Sequence, residues 1–252
     1  MKEAKNPSGR IIVFNERNHT YTLKDNGKHL ESCTKFVKKF FPKFNVERQS
    51  AISAKEYNMS QEEVKQLWAK IRDRASDKGH SIHEYAEAYI LGKTIEEPTD
   101  PKIRNYFTIL KEAIDFYRSE GKIIGSEIIL FSPRLGLAGT TDLLLEKNNI
   151  LHILDWKTNK AIKKDNPYNR DSKGLRPLSH LDNCNYIHYS LQLNLYKKII
   201  EEENYFPHIK KIQMSFIHLK EHDLDSYEVY DMDKEIQDMI NENRQRAQAD
   251  RN

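Results

Sequence analysis

Asp142, Asp155 and Lys157 have the types and spacing that chemistry would need. Asp155 and Lys157 stand two apart in ILHILDWK, a run that reads as a strand, so both side chains leave one face and Trp156 leaves the other. Asp142 belongs to the preceding run, LAGTTDLLLE, and the tight turn at Asn148-Asn149 folds the two runs together. Two carboxylates side by side repel unless a cation lies between them, which makes a hard divalent metal the natural occupant. A lysine beside that metal can orient a water or offset charge growing on a phosphate. A polar strand end with an ion pair is the other reading, and spacing alone leaves both open.

A second group lies downstream. Tyr189, Gln192 and Tyr196 share one face of a helix, opposite Leu191, Leu195 and Ile199. Packing gives little reason for a QxxxY pair on the polar side of a core-facing helix.

The elements that must position these residues follow from patterning. Residues 11–34 read as a hairpin with a polar turn at Asn15–His19. Residues 60–78 read as a helix with Val64, Leu67, Trp68, Ile71 and Ala75 on its core face and a Ser60/Glu63 capping box. Gly79 is expected to end it, and Ser81 with Glu84 to open another over 81–91. Asp100 and Pro101 start a longer helix facing inward through Ile103, Tyr106, Leu110, Ala113, Ile114 and Tyr117. Strands are expected at 123–131, 137–146 and 150–157, a helix at 186–203, strands at 211–219 and 226–232, and a polar helix at 233–248. The order helix, three strands, helix, strand predicts an α/β fold with helices flanking a mixed central sheet.

Composition sets the outer limits. Of 252 residues, 38% are hydrophobic and 31% charged, with 41 basic and 38 acidic side chains leaving +3, which suits a solvated globular surface. No apolar run approaches the roughly 18 residues of a membrane span. The start MKEAKNPSGR lacks a signal peptide's apolar stretch, so a cytoplasmic protein is expected, in the host cytoplasm if virus-encoded. Two distant cysteines, Cys33 and Cys184, exclude a disulfide scaffold and a four-cysteine zinc or iron–sulfur site. Charge is uneven: residues 1–48 hold eleven basic against five acidic side chains, and residues 201–252 hold seven against thirteen. The stretch from Lys157 to Arg176 carries Lys160, Lys163, Lys164 and Arg170, a basic loop of the kind a polyanion would meet.

AGTTDLLL, ILDWKTNK and YSLQLNLY together resemble the PD-(D/E)xK nuclease superfamily, specifically its RecB-like branch. The resemblance implies a restriction-endonuclease-like core in which Asp142 and Asp155 bind Mg²⁺ or Mn²⁺, as one or two ions. Lys157 would assist hydrolysis, while Gln192 and Tyr196 would hold the active site and the DNA strand. GHSIHEYAEAY resembles the branch's upstream histidine motif, which assigns His83 as a third metal ligand with His80 as competitor. Glu87, one turn on, could hold the other ring nitrogen, and Glu127 could join the metal shell or its waters. No iron–sulfur cluster is expected, because the cysteines that would hold one are missing.

The segment HTYTL…LESCTKFVKKFFPKF resembles the N-terminal hairpin of phage-type and mitochondrial genome maintenance exonucleases. Its interleaved cations, Lys38 and Lys39 among them, and phenylalanines could supply phosphate contacts and stacking faces. On this reading residues 1–95 form a hairpin and helical lobe packed on the core and contributing His83. Residues 96–252 form the nuclease core with its polar C-terminal helix. The function implied is a Mg/Mn-dependent exonuclease acting on single-stranded DNA ends in replication, recombination or repair. A structure-selective or restriction-type endonuclease, and a DNA-binding module without chemistry, remain alternatives.

Overall fold

A computed structural model describes residues 1–166 and 172–249; Arg170 therefore lies outside the described residues. The strands are β1 (Lys2–Lys5), β2 (Ile11–Asn15), β3 (Thr20–Leu23), β4 (His29–Ser32), β5 (Lys122–Ser132), β6 (Leu137–Lys147), β7 (Ile150–Lys157), β8 (Lys211–Leu219) and β9 (Leu224–Val229). The helices are α1 (Cys33–Lys38), α2 (Val46–Tyr57), α3 (Gln61–Ile90), α4 (Pro101–Glu120), α5 (Asn185–Glu203) and α6 (Asp233–Ala249). Among the described residues the strands form one mixed sheet in the order β1-β2-β3-β4-β6-β7-β8-β9, with β5 also on β6. No helix there is long and apolar enough to cross a membrane.

The period-two alternation of the strands divides the core into two layers. Leu144, Ile153 and Phe216 pack on one face with α1, α5 and α6. Leu143, Leu154, Trp156 and Ile217 pack on the other with α3 and α4. Trp156 thus points into a helix layer, 1% exposed, and Asp155 and Lys157 emerge on the opposite face.

β6 is where the sheet forks. β5 runs along the whole of one edge. On the other edge β4 pairs in parallel at Glu31–Leu137 and Ser32–Ala138, while β7 joins only from Leu143–Leu154 onward. Residues 139–142 face the gap between them, so Asp142 stands where two strands part. The same β4–β6 bridge carries the N-terminal hairpin into the core sheet.

Two helical expectations need correction. Gly79 does not end a helix: α3 runs unbroken for 30 residues from its Ser60/Glu63 capping box, and Ser81 Oγ bonds back to the Asp77 carbonyl instead of capping. A side chain at Gly79 would meet Thr158 Oγ1 at 3.4 Å, an ordinary contact, so the residue after β7 lies against the helix without requiring glycine there. The stripe expected to face the core is also mostly open. Val64 is buried, but Leu67 and Ile71 are 38% and 56% exposed, because this half of α3 extends past the sheet and packs on α2.

Candidate active site

One step past the Leu143–Leu154 pair, the register sets Asp142 across from Asp155. Both are buried, at 6% and 3% exposure. Asp142 Oδ2 accepts the Trp156 backbone N–H at 2.6 Å. Where the ladder opens, a side chain thus satisfies the amide that a backbone carbonyl would otherwise take.

Asp155 forms an ion pair with Lys157, whose Nζ also lies 4.4 Å from the centre of the Tyr189 ring. Burial and the Asp142 charge push the Asp155 carboxyl above its ordinary range, with Lys157 pulling back in part. Burial works against the Lys157 ammonium, but Asp155 and Asp142 outweigh it and keep its pKa raised.

His83 reaches the same place from α3. Its Nδ1 lies 3.2 Å from Asp142 Oδ1 and 3.6 Å from Glu127 Oε1. His83, Glu127 and Asp142 offer ligand atoms that all lie within 4.8 Å of one another. Glu127 sits between the pairs Ser126–Leu143 and Ile128–Thr141, across from Asp142, with a left-handed φ of 51°. That conformation costs an L-residue about 1–2 kcal/mol, the kind of strain that persists where surroundings over-determine a site. His80 is exposed and pairs with Glu84 at 3.1 Å, so it takes no part. Glu87, expected behind His83, instead bonds Lys2 at 3.3 Å, because the tail strand β1 lies within its reach.

Asp155, expected among the ligands, is outside this three-donor set, its oxygen occupied by Lys157. Gln192 Nε2 donates to the Tyr196 hydroxyl at 2.7 Å, and neither residue has a hydrogen bond to the carboxylates. Tyr196 is 2% exposed, its ring against Gly139 on the open stretch of β6, where a Cβ would lie 2.4 Å from Cε1. The pair therefore supports the strand that carries Asp142. Gly139→Ala should cost about 1–3 kcal/mol in denaturant unfolding by overpacking; a loss under about 0.5 kcal/mol, within the ordinary scatter of surface substitutions, would refute that contact.

The cations expected on DNA are dispersed. Lys160 and Lys38 are exposed, and Lys164 Nζ stands 5.2 Å from the Tyr186 ring centre. The Lys163 backbone N–H donates to Asn185 Oδ1 at 2.8 Å. Lys39 is held by Glu31 at 2.6 Å and Asn243 at 3.3 Å. Of the four phenylalanines interleaved with them, Phe36, Phe40 and Phe41 are buried, and Phe44 is 66% exposed. Sequence reasoning did not single out Lys78, whose Nζ donates to the Thr158 carbonyl at 2.8 Å. Its only signal was the adjacent Gly79, which looked like a helix stop.

Burial disfavours the His83 imidazolium, but Asp142 and Glu127 outweigh it and push the pKa up to about 10. The imidazolium thus fills the place between two carboxylates that a metal cation would take, and it must lose its proton to become a ligand. Its contribution to metal-free stability is fully present below about 6.5 and fades as pH rises through about 10. Mn²⁺ binding at pH 7.5 should release about one proton, read from the calorimetric enthalpy in buffers of different ionisation heat. No proton release would remove His83 from the ligand set.

Two carboxylates and an imidazole converge beside a buried lysine at a fork in a mixed sheet, a donor set that could hold a divalent metal ion. A family model described as the PD-(D/E)XK nuclease superfamily matches residues 46–251, and the chain belongs to that superfamily. Among curated proteins none matches it. Among solved structures it is similar to a protein from Eubacterium rectale provisionally described as an exonuclease, at 14% identity and a TM-score of 0.42. That match covers 67% of this chain, which spans 65% of the other's length.

Proposed function

We propose that the chain is a divalent-metal-dependent deoxyribonuclease, an exonuclease that hydrolyses phosphodiester bonds from single-stranded DNA ends. The observation that carries this reading is the convergence of His83, Glu127 and Asp142 beside the Asp155–Lys157 pair. Its oxygen-rich donors suit Mg²⁺ or Mn²⁺, and the imidazole favours Mn²⁺ of the two. A bound ion would supply a Lewis acid for a phosphoryl oxygen and an acidified water.

The chain's own residues would do the rest. Asp142, His83 and Glu127 would hold the ion, and Asp155 would be a further donor if Lys157 turned to the phosphate. Lys157, kept as an ammonium, meets the negative charge that grows on the phosphoryl oxygens. Gln192 and Tyr196 hold β6 in place.

Single-strand use is supported by exposed Phe44, 5.9 Å from the Trp68 ring, since an aromatic surface can stack unpaired bases. Lys38, Lys160, Lys163, Lys164 and Arg170 are proposed to meet the phosphates; Lys39 would first have to leave Glu31. Cytoplasmic work in replication, recombination or repair fits this substrate.

The test is cleavage of 5′- and 3′-labelled single- and double-stranded DNA, and of closed single-stranded circles, with Mg²⁺, Mn²⁺ or EDTA. Metal-dependent loss of linear single strands with circles intact is expected. Cut circles would make the enzyme an endonuclease, and intact DNA throughout would leave a binding module.

A further inference from the structure

Lys157 is the last residue of β7 and pairs with His218 in the final rung of the parallel β7–β8 ladder. Register partners share a face of the sheet, so the His218 ring leaves β8 beside the Lys157 side chain. The ladder stops at that rung, and the chain turns off the sheet through Thr158 and Asn159. Two side chains take over there. Lys78 Nζ of α3 donates to the Thr158 carbonyl at 2.8 Å, and His218 Nε2 meets the Asn159 carbonyl at 2.6 Å. The Asn159 side-chain amide closes the turn on itself by donating to the Ala161 carbonyl at 2.6 Å.

His218 is 3% exposed and is not among the three metal donors. A carbonyl only accepts, so Nε2 carries the hydrogen of the bond to Asn159. The other nitrogen, Nδ1, faces Asp225 Oδ2 on β9 at 3.9 Å. An imidazole costs more to bury than the nearby Phe216 or Leu219 unless it is hydrogen-bonded, and Asn159 supplies that bond. Lys157 must keep its ammonium beside Asp155 and the Tyr189 ring from a strand end that would otherwise fray. A misplacement of about 1 Å can cost about a hundredfold in rate. Resting on the nuclease reading above, we propose that His218 is a positioning residue for cleavage. By holding the Asn159 carbonyl it fixes the end of β7, and with it the reach of Lys157.

The test sets three variants beside the wild type. Glutamine places an amide nitrogen near Nε2, asparagine stops near Nδ1, and leucine fills the space without a donor. Single-turnover cleavage of saturating single-stranded DNA with Mn²⁺ should slow about ten- to a hundredfold in His218→Leu and His218→Asn. His218→Gln should stay within about threefold of wild type, and KM and Mn²⁺ affinity should move less than about twofold in all three. Leucine and asparagine variants as fast as wild type would overturn the proposal, as would a glutamine variant as slow as they are. A matching fall in Mn²⁺ affinity would also overturn it, since the loss would then belong to the whole site. Backbone amide exchange over residues 156–161 reads the placement even where nothing is cut. It should quicken in the leucine and asparagine variants and hold in the glutamine variant; equal exchange in all would overturn the placement. Cleavage by the wild type tests the nuclease reading separately.

Discussion

Asp142→Asn should lower kcat/KM by about a thousandfold or more, some 4 kcal/mol of transition-state stabilisation, while the protein stays folded. Asparagine keeps an oxygen for the Trp156 N–H, so the fork between β6 and β7 survives. It loses the charge that faces His83 and Glu127, and with it one of the three donors proposed to hold the metal. Asp155→Asn should be as inactive but less stable, because it leaves the Lys157 ammonium without its carboxylate at a buried position. Removing one partner of a buried pair costs about 3–5 kcal/mol; the amide oxygen and the Tyr189 ring should reduce that to about 2. Unfolding curves beside steady-state rates check both variants. Activity within tenfold of wild type in either would refute the assignment.

Lys157→Met should lose about two to four orders of magnitude in kcat and little in metal affinity. Lysine is no ligand, and it pairs with the Asp155 oxygen that an ion could use. Its removal should therefore leave Mn²⁺ binding unchanged or tighter, the opposite of a lost ligand. Methionine fills similar space, so the apolar surroundings of Tyr189 and Phe216 need not collapse. Calorimetric titration beside single-turnover rates separates the two effects. A more than tenfold fall in metal affinity would reassign the residue.

Much of this site was legible because its parts are local. The two-residue step from Asp155 to Lys157 and the short turn at Asn148-Asn149 set the acid–lysine face and the facing aspartates from strand periodicity alone. The Ser60/Glu63 and Asp100/Pro101 helix starts were equally local. What stayed hidden depends on distant chain. The fork in β6 needs Glu31 and Ser32 to pair with residues more than 100 positions away. Gly79 resembles a stop because a glycine inside a helix costs about 1 kcal/mol, yet α3 runs through it unbroken. Leu67 and Ile71 give the same stripe whether a helix faces a core or extends beyond it. His80 and His83 cannot be separated by spacing, and Glu127 enters the cluster through a backbone conformation that its sequence does not announce.

The central claim is that His83, Glu127 and Asp142 hold the ion at which DNA is cut. Electron paramagnetic resonance of Mn²⁺ titrated into wild type, Asp142→Asn and His83→Ala tests it most directly. The wild type should remove free Mn²⁺ signal to a saturable stoichiometry, and both variants should bind at least tenfold more weakly while remaining folded. Binding of wild-type strength in both variants would contradict the account.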